Sequence, residues 1–242
     1  MNTDTLVVVC GYDGDKAQIE MLMPYYVHHQ CPVVVMSPED AKIDTSAQTG
    51  VLFRHGGQKG WIGMHTLERQ KIHMRMMLEF PHKFFLMNDA DSVCLSDRLP
   101  TYLYSYPNIF WSNESTDTNP GPSYLPKIAL QPPYFCSREI LEKMVNAEPA
   151  NSYYGDFGPM PEQKLPIPTN CIDHYLLQLA HGAGVEHSNF RDGCSFETAS
   201  DHGLATMAGL VQAHGRIFLH SVKTVDRLHR LAVARSRSSY KL

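Results

Sequence analysis

A chain of 242 residues with 43% hydrophobic and 19% charged residues can bury one sizeable core, and no Gly/Ser linker or low-complexity tract divides it. The net charge of −4 excludes a protein that is basic throughout, yet six Lys or Arg stand against the single Asp226 between 223 and 242, so the body is more acidic than the total. The six cysteines form no C-x-x-C pair, the start Met1-Asn2-Thr3-Asp4-Thr5 is unlike a signal peptide, and no apolar run approaches membrane-spanning length; reduced thiols, no membrane association and a cytoplasmic location are expected.

Taken in chain order, strands alternate with helices. Leu6 to Cys10 reads as a strand, and Gly11-Tyr12-Asp13-Gly14-Asp15 turns into a helix running to about His29, with Pro24 as a bend point. Pro32 to Met36 is a second strand closed by Ser37-Pro38-Glu39-Asp40, and Val51 to Arg54 is a third, followed by the loop His55-Gly56-Gly57-Gln58-Lys59-Gly60. A helix from about Met64 to Glu79 then leads through Pro81 into Phe84-Phe85-Leu86-Met87-Asn88-Asp89-Ala90-Asp91. Such alternation predicts an α/β fold: a single domain with a mixed, mainly parallel sheet flanked by helices and ligands at the carboxyl ends of the strands.

The second half is less regular. Ile109 to Trp111 reads as a short strand, and Asn113 to Pro126 as a polar loop. A strand at Ile128 to Gln131 leads through Pro132-Pro133-Tyr134-Phe135 into a helix from about Ser137 to Asn146, and residues 147–168 form a Pro-rich loop. Asn170 caps a helix whose apolar positions are Ile172, Tyr175, Leu176 and Leu179, with Asp173 in its first turn. A further helix, about His202 to His214, precedes a strand at Ile217 to Leu219 that ends in His220-Ser221-Val222-Lys223.

Asp89 and Asp91 end a buried strand at the rim of a sheet. Two acids there repel each other unless a cation lies between them, which points to a bound divalent ion. The competing reading is a solvated strand end with an N-cap.

The ordered set of a β-α-β half, an apolar strand ending in Asp89-Ala90-Asp91, a helix bearing Asp173 and a strand ending in His220 with Lys223 resembles the GT-A glycosyltransferases across nearly the whole chain. The resemblance implies residues 1–95 as the nucleotide-sugar-binding half, 96–223 as the acceptor half and 224–242 as a basic tail. It further implies Mn or Mg held by Asp89, Asp91 and His220, Lys223 facing the diphosphate of a UDP-sugar, and Asp173 as general base of an inverting transfer. Gly11, Tyr12 and Ser37 would meet base and ribose, and Arg69 and Lys71 the phosphates. Trp111, Asn113, Glu114, Gln131 and Tyr134 would line the acceptor pocket.

Each assignment has a plainer alternative: Asp173 favouring a helix dipole, His220, Trp111 and Tyr134 as core residues, and Arg69 and Lys71 on an exposed helix face. The compact chain is similar to enzymes of DNA viruses that glycosylate hydroxymethylpyrimidines, which would make hydroxymethylcytosine in DNA the acceptor and the host cytoplasm the location. The basic tail suits a polyanion, though a solvated helix face explains it too. A saccharide or protein acceptor, a phosphatase of the haloacid dehalogenase type, and a non-catalytic nucleotide- or nucleic-acid-binding module are the alternatives.

Overall fold

The structure, a computed structural model, describes residues 4–20, 23, 32–40, 43, 51–58, 64–90, 93–94, 99, 101–116, 128–149, 172–190, 194–196 and 218–220. Strand β1 (Thr5–Cys10) lies between β2 (Val33–Ser37) and β4 (Phe84–Asp89), both parallel to it, and β3 (Val51–His55) continues the sheet beyond β2. Val7, Val8 and Val9 are fully buried, which explains why this strand reads as an unbroken apolar run: a parallel strand covered on both faces has no polar side. Burying each such side chain contributes about 1.5–3 kcal/mol.

Beyond β4 come β7 (Ile128–Ser137), β6 (Ile109–Thr116) and β8 (Glu186–Asn189), giving a seven-stranded sheet of order β3-β2-β1-β4-β7-β6-β8. Only β7 runs against the rest, since it is antiparallel to both β4 and β6, while β8 is parallel to β6. A second sheet, β5-β10-β9, joins Val93–Cys94, Phe218–His220 and Cys194–Phe196. The expected mixed, mainly parallel α/β architecture is the one observed.

Helices cover both faces. The 3-10 turn Asp13–Asp15 leads into α1, helical at 16–20 and at 23, and its Ile19 and Met23 pack on Val7, Val9, Val33 and Val35. On the opposite face α2 (Met64–Leu78), rich in strong helix formers, packs Met74 and Met77 on Leu6, Val8, Val34 and Met36. The short α3 (Thr101–Ser105) adds Leu103 to the first face. The second face also receives α4 (Arg138–Asn146) and α5 (Ile172–Gly182), the latter through Leu176, Leu177, Leu179 and Ala180. Among the described residues no helix is long and apolar enough to cross a membrane.

Three expectations need correction. The chain from Asn113 to Thr116 is strand, not loop, because it pairs with Ile128 to Gln131. The segment Pro132-Pro133-Tyr134-Phe135 belongs to β7 rather than to a connection; the ladder slips between Trp111 and Asn113, and that irregularity absorbs two prolines that have no N–H to offer. Four short elements, β5, α3, β8 and β9, were not anticipated. The helix expected at His202 to His214 lies outside the described residues. Cys10 and Cys136 are free thiols as expected.

Candidate functional site

The path of the chain singles out one place along the sheet edge. From β1 it moves outward to β2 and β3, then α2 carries it back to β4 on the other side of β1, so the direction of winding reverses between β1 and β4. In an open α/β sheet the crevice at such a reversal, outside the carboxyl ends of the strands, is where ligands bind. Here the two strands end level, with Cys10 paired to Asp89, and the residues beyond are Gly11, Tyr12 and Ala90. Gly11 allows the close approach: a Cβ there would lie 2.7 Å from Ile19 Cδ1, 3.2 Å from Ile43 Cδ1 and 3.3 Å from Ala90 Cβ.

Asp89, the last residue of β4, is partly exposed at this edge. Burial pushes the Cys10 thiol up to about 12, helped by the Asp89 carboxylate and opposed by the Arg69 guanidinium. Burial likewise raises the Tyr12 phenol to about 12, with Arg69 working against the shift by its charge and by a hydrogen bond. One acid and one base therefore flank Cys10 and Tyr12. Arg69 comes from the second turn of α2, with only 8% of its surface exposed; the expected alternative of an exposed helix face does not apply to it.

A second group lies at the ends of β2 and β3. Ser37 is fully buried, and its hydroxyl lies 2.7 Å from His55 Nδ1 and accepts from the Ile43 N–H at 3.3 Å. Across the sheet, the buried His73 of α2 donates Nε2–H to the Gly56 carbonyl at 3.0 Å. Burial, reinforced by the charge of Arg69, lowers His73 to about 4, so it is neutral at physiological pH. Gly56 N–H in turn donates to the Ser37 carbonyl at 3.0 Å, and Glu39 N–H to the Gly57 carbonyl at 2.9 Å. The loops after β2 and β3 are thus tied together. Sequence reading passed over His55, His73 and Cys10; the available signal was that His55, like Ser37, directly ends an apolar strand.

The other expected site residues are placed as follows. Lys71 reaches toward the end of α4, donating to the Ala147 carbonyl at 2.7 Å and to Glu148 at 3.4 Å. Trp111 is buried against Tyr102, with ring centroids 5.0 Å apart, and Tyr134 is buried with its hydroxyl donating to the Leu130 carbonyl at 3.1 Å. Asn113 and Gln131 are register partners, with Glu114 opposite Leu130, near the carboxyl-edge end of β6. Because α5 ends just before β8, which starts at the opposite edge, its first turn with Asp173 is directed toward the carboxyl edge as well. Side chains of Asn113, Glu114, Gln131, Asp173 and His220, and the whole of Asp91 and Lys223, lie outside the described residues.

For a divalent ion, the sequence offers two carboxylates and an imidazole, a set suited to Mn or Mg. Two observations fit it. Asp89 carries its carboxylate to the open end of β4. The pairing of β10 with β5 sets Leu219 opposite Val93, so His220 follows at the end of β5 nearest Asp91 in sequence. Among the described residues, no three His, Cys, Asp or Glu side chains converge on one point.

The chain is similar in structure to a solved protein described as a glycosyltransferase involved in the glycosylation of the major capsid of PBCV-1, with 12% identity, a TM-score of 0.46, and coverage of 95% of this chain and 98% of that one. No protein-family model matches the chain, and no curated protein matches it. A likeness this distant adds nothing to the site, whose reading rests on the strand ends themselves.

Proposed function

We propose that this protein is a metal-dependent glycosyltransferase that moves a sugar from a nucleotide-diphosphate sugar, UDP-linked, to an acceptor hydroxyl. The observation that carries the reading is the reversal of winding between β1 and β4, which sets Gly11 and Tyr12 beside Asp89 at one crevice. Gly11 and Tyr12, with the loops held by Ser37 and His55, would receive base and ribose. Asp89 and Asp91, with His220, would hold Mn or Mg, and Lys223 would face the diphosphate. The ion would stabilise the negative charge that develops on the departing diphosphate.

Asp173, on a helix turn directed toward the same edge, is the proposed general base for the acceptor hydroxyl, which makes the transfer a direct, inverting displacement. The proposed acceptor is hydroxymethylcytosine in DNA, drawn to the basic residues after 223 by phosphate contacts. Asn113, Glu114 and Gln131, around one stretch of the β6–β7 ladder, would meet it.

Isothermal titration of UDP with and without Mn tests the donor half: binding that requires the ion supports it, and no binding in either condition refutes it. Incubation with hydroxymethylcytosine-containing DNA and a panel of UDP-sugars, read by nucleoside mass spectrometry, tests the acceptor. A hexose or pentose mass on the base is expected; transfer to saccharide or protein alone would remove DNA from the proposal.

A further inference from the structure

Arg69 is held in a way that a phosphate-binding arm is not. Its guanidinium lies over the Tyr12 ring, 5.1 Å from the centroid, while Nη1 donates to the Gln58 carbonyl at 3.3 Å. Gly57 makes room for it. That residue has φ +75°, and a Cβ on it would come within 2.7 Å of Arg69 Cβ and 2.8 Å of Arg69 Cα. The backbone of Tyr12 is fixed separately, its N–H donating to Asp15 Oδ2 at 2.8 Å, and the neighbouring Gly11 N–H donates to the Met36 carbonyl at 3.1 Å.

The result is a column of Gly57, Arg69 and Tyr12. A planar guanidinium against one face of a phenol ring restrains the ring's tilt, whereas an ammonium, a point charge without a plane, attracts the ring but does not stack on it. Tyr12 is itself partly exposed, and it follows β1 directly, at the strand end beside Asp89. Arg69 is buried, and its guanidinium is already engaged with the Tyr12 ring and the Gln58 carbonyl.

We propose that Arg69 is a positioning residue: it braces Tyr12 as a platform on which the nucleobase of the donor stacks, and it takes no part in holding the diphosphate. The proposal rests on the nucleotide reading of this crevice given above. Stacking on an aromatic platform tolerates any base, so the platform contributes affinity for the nucleoside portion alone.

Titration calorimetry with uridine and with UDP plus Mn, on wild type, Arg69→Met, Arg69→Lys, Tyr12→Ala and the Arg69→Met/Tyr12→Ala double variant, decides it. The expected result is a roughly equal loss for uridine and UDP, on the order of tenfold, in both Arg69 variants, with the double variant no weaker than Tyr12→Ala alone. A loss confined to UDP, UDP affinity preserved by lysine, or additive losses in the double variant would each overturn it. Failure of the wild type to bind either ligand would instead overturn the nucleotide reading, and the stacking with it. Arg69→Lys keeps the charge should the methionine variant not fold, and its separation of uridine from UDP decides the question unaided.

Discussion

Cys10 and Asp89 are partners on the last rung between β1 and β4. The pairing brings a carboxylate from the middle of the chain to the end of the first strand, where its charge adds to the rise that burial imposes on the Cys10 thiol. The charge of Arg69 acts on Cys10 in the opposite sense and on Tyr12 as well. The crevice is therefore electrostatically divided before any ligand arrives: an acid at the end of β4, a base braced beneath Tyr12.

Asp89→Asn preserves the shape of the β4 terminus and removes its charge. Its expected effect is selective. The Mn-dependent gain in UDP affinity, ten-fold or more in the wild type, should fall to near unity, whereas uridine binding stays unchanged. Calorimetry with and without the ion measures both, and a Mn dependence that survives the substitution would exclude Asp89 from the metal site.

Arg138 should be a costly side chain to remove although it is partly exposed. Its guanidinium donates to the carbonyls of Leu78 at 3.1 Å, His82 at 3.0 Å and Phe80, and it lies 5.6 Å from the centroid of Phe85. These are the carbonyls that α2 and the turn after it leave unpaired where Pro81 stops the helix. Arg138→Ala is expected to lower stability by about 2–4 kcal/mol in urea denaturation, with Arg138→Lys recovering only part, because a point charge cannot serve three directions at once.

Gly57→Ala places a methyl group against the backbone of Arg69 at a positive φ. A cost of about 1–3 kcal/mol is expected from the backbone conformation. If Arg69 braces Tyr12, the same substitution should weaken uridine binding as Arg69→Met does, and a variant that loses stability but binds uridine normally would separate the two effects.

Acid should destabilise the fold through its buried histidines. His73 falls from 6.5 to about 4 on burial, and His187, bonded through Nε2 to Ser112 Oγ at 2.8 Å, falls to about 4 through burial and then the charge of His181. A folded-state pKa below the unfolded one means that the unfolded chain binds the extra proton, so stability is fully present above about 6.5 and is lost as pH falls toward about 4. For the more deeply buried His73 the loss is roughly 2–3 kcal/mol across that window. His73→Gln, which keeps a donor for Gly56, should flatten the pH dependence of the urea midpoint; an unchanged slope would show that other groups carry it.

What local sequence could reveal was the set of elements whose signal is strong within a few residues. Val7-Val8-Val9, Val33-Val34-Val35 and Phe85-Leu86-Met87 are apolar on both sides, and a strand buried on both faces must be. The helix over Met64–Leu78 shows in its helix-forming composition and in the Pro81 that follows, and Ser137 caps α4 by accepting from Ile140 N–H at 3.4 Å. By contrast, Glu186-His187-Ser188-Asn189 has no apolar pattern and becomes strand β8 because β6 offers it a sheet edge. The prolines of β7 hid a strand for the converse reason, since its partners on β4 and β6 tolerate an interrupted ladder.

By itself the sequence determined an alternating α/β chain with carboxylates at a strand end, because burial pattern and strand-end chemistry are local properties. Only the tertiary structure decided that Asp89 stands beside Cys10, that Ser37 is buried behind His55, and that Arg69 lies beneath Tyr12 rather than in solvent. Those relationships follow from strand register and helix packing across tens of residues, and no window of sequence encodes the order in which strands line up.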